Sequence, residues 1–128
     1  MEEGYEIKPY PTEARRYCRM LTLRSPELAA LYRERHAAVW PEISVGIRQV
    51  GIYEMEIYLL GTTAFMILDV PATLDLEEAM ARLATLPRQQ EWEDYMSVFQ
   101  QASEGMTSAQ KWQPLERVYH LPEISENL

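Results

Sequence analysis

One cysteine, two histidines, five glycines and no cluster of lysines or arginines set the first limits on this 128-residue chain. Cys18 alone makes neither an intrachain disulfide framework nor a cysteine-based zinc site, and a reducing compartment suits it best. A formal net charge of −8 without a basic face argues against a role that rests on neutralising phosphates, so no nucleic-acid partner is expected. The glycines do not gather into a phosphate-cradling loop. Paired His/Cys metal spacings and a Gly-x-Ser-x-Gly elbow are missing as well, so no cofactor and no metal are implied. The opening residues, acidic and broken by Pro9 and Pro11, lack the apolar core of a signal peptide. No segment approaches the ~20 apolar residues of a membrane span. A cytoplasmic protein with no membrane partner is the expectation.

What is present suits one globular unit, with 47% apolar and 25% charged residues. Its organisation reads as a flexible N-terminal tail over 1–14, a single domain over 15–122 and a C-terminal tail over 123–128. Arg16 to Leu23 alternates, with Tyr17, Arg19, Leu21 and Leu23 on one side, and predicts a first strand. Ser25-Pro26-Glu27 opens a helix, because a serine cap, a proline at the first position and an acid in the first turn suit its free amides. Leu28, Leu31, Tyr32, Arg35, His36 and Val39 form its stripe, which begins aliphatic and turns polar. Pro41 to Val50 is a second helical segment that Gly51 closes.

Ile52 to Leu60 and Thr63 to Val70 read as strands joined by the tight turn Gly61-Thr62. Asp75 to Leu86 is an amphipathic helix, and after Pro87 another runs from about Arg88 to Ser103 with Trp92, Tyr95, Met96 and Phe99 inward. Gly105 to Gln110 reads as a loop and Leu115 to Leu121 as a last strand. The order β-α-β-β-α-β is the split βαβ, ferredoxin-like arrangement of the α+β class, an antiparallel sheet with helices on one face. If Tyr17, Leu21 and Leu23 lay on the other face, the exposed apolar patch would be too large. A second copy is therefore expected to close it as a homodimer, a dimeric α+β barrel.

Tyr32 and His36 stand one helical turn apart and within about 40° of each other, so both reach one small molecule. An unperturbed imidazole gives and takes protons near neutral pH. Arg35 adds a guanidinium beside them. A packed or capping histidine and an amphipathic core tyrosine are the competing readings. Gln89, Trp92, Glu93 and Met96 share adjoining helix positions, and an indole beside amide and carboxylate groups resembles a sugar-binding edge; a core Trp beside a solvated acid is the alternative. Trp40 reads as an anchor against the sheet and His120 as structural. Glu54 and Glu56, on a strand expected to be central or nearly so, either bind something polar or pair with Arg19 or Arg117.

From about Arg16 to Pro122 the chain resembles the L-rhamnose mutarotase family. The resemblance rests on Tyr32-Arg33-Glu34-Arg35-His36 followed by Val39-Trp40-Pro41-Glu42, then Ile57-Tyr58-Leu59, Trp92 with Tyr95-Met96, and Val118-Tyr119-His120-Leu121-Pro122. It implies a small dimeric ferredoxin-like isomerase that interconverts the anomers of 6-deoxy-L-sugars. His36 would be the catalytic proton donor, and Tyr32 and Trp92 would contact the monosaccharide. Met55 stands where the rhamnose enzymes place a sugar-contacting tyrosine, and Glu93 where they place a second tryptophan. Met55-Glu56-Ile57-Tyr58 and Gln90-Glu91-Trp92-Glu93 look more like the branch associated with L-fucose. Glu93, beside Trp92, is also a candidate for the second acid/base group. The competing functions are a cofactor-free monooxygenase-like enzyme, which needs an apolar cavity, and a non-catalytic sugar-binding regulator.

Overall fold

A computed structural model describes residues 2–124 of the chain. Strand β1 (Ala14–Thr22) lies between β3 (Thr63–Pro71) and the short β4 (Gln113–Pro114), with β2 (Glu54–Leu60) at the far edge, in the order β2-β3-β1-β4. Every pairing is antiparallel. The connections carry α1 (Pro26–Arg35), a 3₁₀ turn (His36–Ala38) and α2 (Pro41–Gln49) on one side of the hairpin. Then come α3 (Leu76–Leu83), α4 (Gln89–Ser97) and α5 (Ser108–Lys111) on the other. This is the expected ferredoxin-like α+β fold. No helix among the described residues is long and apolar enough to cross a membrane.

Local chemistry places the helix starts. Ser25 Oγ accepts from the Leu28 amide at 3.1 Å and Asp75 Oδ1 from the Glu78 amide at 3.1 Å, each satisfying an amide that the helix leaves free. Gly51, at φ +101, turns the chain from α2 toward β2 in a conformation that a side chain disfavours. The hairpin closes with Leu60 opposite Thr63, as the two-residue spacing predicts.

The period-2 pattern decides which sheet face the helices cover. Leu21 and Leu23 of the β1 segment and Ala64, Met66, Leu68 and Val70 of β3 are buried with Ala29, Ile43, Ala79, Leu83 and Met96 in one core. Tyr17, Met55, Ile57 and Leu59 pack against its edge. The expectation that Tyr17, Leu21 and Leu23 lie on the bare face is therefore corrected, because they sit beneath the helices. The other face carries Cys18, Met20, Tyr58, Phe65 and Ile67, together with Arg16, whose guanidinium grips the buried Asp69 at 2.7 and 2.9 Å. Tyr10 also donates to Asp69 at 2.6 Å and stacks on Tyr53, which brings the N-terminal segment onto this rim.

Three boundaries beyond Pro87 differ from expectation. Helix α4 ends at Ser97, short of Ser103, because the following residues enter the sheet: Arg24 donates its amide to Phe99 O, and Gln101 donates to Thr22 O. The Arg24 side chain meanwhile caps the carbonyls of Ser97 and Ala102. Within the expected loop, Thr107 and Gln110 form a capping box that opens α5. The last strand is Gln113–Pro114, with one further bond from the Leu115 amide to Cys18 O, and the expected strand Leu115–Leu121 does not pair. Pro114 offers no amide, and the same register carried onward would set Arg117 directly opposite Arg16. Val118, Tyr119 and Leu121 stay exposed in the single chain, as does His120.

Candidate active site

A cavity of about 410 Å³ opens between the β2/β3 edge of the sheet and the helices, with Tyr32, His36, Met55, Trp92 and Glu93 all in its wall. Every site residue expected from the sequence is thus brought to one place, except Arg35 and Glu56. The inward line of α1 runs through Ala29 and Tyr32 to His36, which leaves Leu31 and Arg35 facing solvent, where Arg35 lies 3.9 Å from Glu34.

His36 is the C-cap of α1 and half-buried. Its Nδ1 lies 2.8 Å from the carbonyl of Tyr32. A carbonyl only accepts, so Nδ1 carries the proton and Nε2 remains the nitrogen available to a ligand. Burial pulls the imidazole below its ordinary value, and the bond to the Tyr32 carbonyl offsets part of that shift. The ring rests 4.1 Å from the Tyr32 ring and meets the Trp92 indole edge-on at 5.8 Å. Rotation of the imidazole is limited by both. Tyr32 is only 1% exposed, and its hydroxyl oxygen faces Gln100 Nε2 at 3.4 Å. Burial raises the phenol well above its usual range, so it stays protonated.

Trp92 is held by an aromatic cluster. Trp40 meets it edge-on at 5.0 Å and stacks on Tyr95, while Arg88 lies over the Trp40 ring at 4.1 Å. Trp40 therefore anchors α4 rather than the sheet. Glu93 is buried, with Oε2 accepting from Gln89 Nε2 at 2.7 Å and Oε1 from Lys111 Nζ at 3.1 Å. Met55 faces these groups from β2.

Glu54 and Glu56 belong to an edge strand rather than a central one. Glu54 caps the Met55 amide and lines the cavity mouth, and Glu56 accepts from Tyr58. Neither pairs with Arg19 or Arg117 among the described residues.

Gln100, Ser108 and Trp112 also line the cavity, and Lys111 stands behind it. The sequence pattern did not single these out. Periodicity places Gln100 inside a helix and Ser108 inside a loop, and the capping-box pattern at Thr107 is the one sequence signal that marks Ser108 as helical. The arrangement combines one proton-transfer group, one buried anion with spare lone pairs, and aromatic surface. That set can bind a small polyol and move a proton on it.

A family model described as L-rhamnose mutarotase matches residues 16–121. An L-fucose mutarotase of Xanthomonas campestris pv. campestris is 36% identical over 111 residues, covering 84% of this chain and 89% of that protein. An L-rhamnose mutarotase of Paraburkholderia xenovorans is 29% identical, over 79% of this chain and 91% of its own. Among solved structures, an L-rhamnose mutarotase from Formosa agariphila superposes with a TM-score of 0.64 at 23% identity, covering 84% of this chain and 99% of that one.

Proposed function

The chain belongs to the L-rhamnose mutarotase family, and on that premise we propose that it interconverts the α and β anomers of a 6-deoxy-L-sugar, with His36 as the proton carrier. It is an isomerase acting on a carbohydrate. The observation that carries the residue assignment is the tethered imidazole: Nδ1 is committed to the Tyr32 carbonyl, so Nε2 is the nitrogen a sugar meets.

The chemistry selects the atom that His36 serves. Ring opening breaks the C1–O5 bond, places a proton on O5 and removes one from O1, leaving an aldehyde. Rotation about C1–C2 and reclosure give the other anomer. O1 changes position between the anomers, whereas O5 does not. A fixed imidazole therefore fits O5: its imidazolium protonates O5 on opening, and the neutral ring takes that proton back on closing. A cavity water or Glu93 takes the O1 proton and returns it. The indole of Trp92 packs on sugar C–H groups, Tyr32 contacts a hydroxyl, and Met55 offers apolar surface to the C6 methyl. L-rhamnose and L-fucose differ in configuration at C2 and C4, and Met55 and Glu93 in place of the two aromatic residues favour L-fucose.

A homodimer belongs to the same reading, with the open sheet face of Met20, Tyr58, Phe65 and Ile67 as the surface that a second copy covers. Magnetisation transfer between the anomeric proton signals of L-fucose, and then of L-rhamnose, with and without protein tests the activity. Accelerated exchange is expected with at least one of them. Binding without acceleration would make the protein a sugar sensor, and no effect on either sugar would remove the proposal.

A further inference from the structure

Lys111 is as deeply buried as any charged group described, its side chain having no solvent exposure. Its ammonium meets Glu93 twice, donating to Oε1 at 3.1 Å and more closely to the Glu93 backbone carbonyl. Gln89 Nε2 holds the second carboxylate oxygen at 2.7 Å. A carboxylate has about four lone-pair positions, and this network occupies two of them. Glu93 therefore keeps acceptor capacity for a cavity ligand. A dry wall would favour the neutral acid of an unpaired carboxyl, which donates a hydrogen bond instead of accepting one.

We propose that Lys111 is a positioning residue of this site: it fixes Glu93 as an oriented anion, so that the wall accepts a hydrogen bond from a sugar hydroxyl. The inference rests on the mutarotase reading for the identity of the ligand, but not for the pairing itself. The capping box of Thr107 and Gln110 starts the single turn that delivers Lys111, which gives that short helix its use. Burial pushes the Lys111 ammonium down, and the Glu93 contact, with a smaller pull from Asp94, offsets part of that shift. The other titratable groups around the pair are Asp94 on the same helix as Glu93, engaged by Gly105 and Gln90, and His36, Tyr32, Tyr53, Glu54 and Arg48 in the cavity wall.

The test compares the parent with K111M, E93Q and the E93Q/K111M double variant. Two readouts are needed. The first is the pH titration of the Glu93 ¹³C carboxyl signal, assigned by its loss in E93Q. The second is KM and kcat for anomer exchange of L-fucose and L-rhamnose. In K111M the Glu93 signal is expected to titrate at higher pH than in the parent. KM should rise by about tenfold or more, the scale of a hydrogen bond to a charged group, with a new loss of activity toward acid pH. In the E93Q background, K111M should change KM less than about twofold, since the two act as one unit. An unmoved Glu93 titration, or an equal K111M effect with and without Glu93, overturns the proposal. So does a K111M protein that melts earlier while keeping the parent KM and pH profile. If K111M does not fold, K111Q replaces it in both readouts, because its amide can still donate to Glu93 while the ammonium charge is gone; an unmoved Glu93 titration and KM in K111Q overturn the proposal equally. A parent without exchange on any 6-deoxy sugar would sink the mutarotase reading, while the titration would still judge the hold of Lys111 on Glu93.

Discussion

Replacing His36 with asparagine separates proton transfer from structure. The asparagine amide can still donate to the Tyr32 carbonyl, which the parent engages at 2.8 Å, but it carries no proton at a useful pKa. The structural cost should be small, under about 1 kcal/mol if that bond survives, or a fall of a few degrees in Tm for a domain of this size. Loss of the ring contacts with Tyr32 and Trp92 accounts for most of it. The catalytic cost should be far larger. Positioned acid-base catalysis is worth about 10²–10⁴-fold, or about 2.7–5.4 kcal/mol at 1.36 kcal/mol per tenfold. The assay is anomer exchange by magnetisation transfer, with kcat/KM compared at matched folded protein. KM should move little, because Tyr32, Trp92 and Glu93 stay in place. A His36→Asn protein that keeps exchange within tenfold of the parent on both sugars would refute the assignment and shift attention to Glu93 and Tyr32.

Two other outcomes follow from the same geometry. Since opening needs the imidazolium and burial lowers the His36 pKa, kcat/KM should fall as pH rises through a midpoint below the ordinary value of about 6.5; a rate that climbs through that range would contradict proton donation to O5. Asp69→Asn should destabilise the protein by about 2 kcal/mol at pH 7 in a denaturant melt, below a fully buried pair because Arg16 is half exposed. The Arg16 hydrogen bonds depress the Asp69 pKa, so its contribution is complete above the unfolded value of about 3.9 and is lost as pH falls through the folded one. The gap between parent and variant should therefore narrow toward acid pH, and a gap that widened there would contradict the pairing.

Much of the fold was legible because its signals are local. Ser25 and Asp75 cap helices by chemistry confined to one turn, Gly61-Thr62 fits only a tight hairpin, and alternation along β2 and β3 needs no distant partner to be read. The far end was harder. A helical stripe continues past Ser97 in the sequence, but Phe99 and Gln101 give their backbone groups to residues on the far side of the chain. The apolar run after Leu115 reads as a strand until Pro114 and the charge of Arg117 are set against β1.

The sequence alone determined that Tyr32 and His36 share a helical face and that Trp92 and Glu93 are neighbours, because backbone geometry dictates such spacings wherever a helix forms. Tertiary structure decided the rest. Gln100 reaches Tyr32 across 68 positions, and Lys111 reaches Glu93 across 18. Which sheet face is covered, and that Arg35 points away while a lysine from a one-turn helix sits behind the carboxylate, depend on packing between distant segments. No periodicity encodes those contacts, since they are set by which apolar surfaces must be buried together and which charges must then find partners.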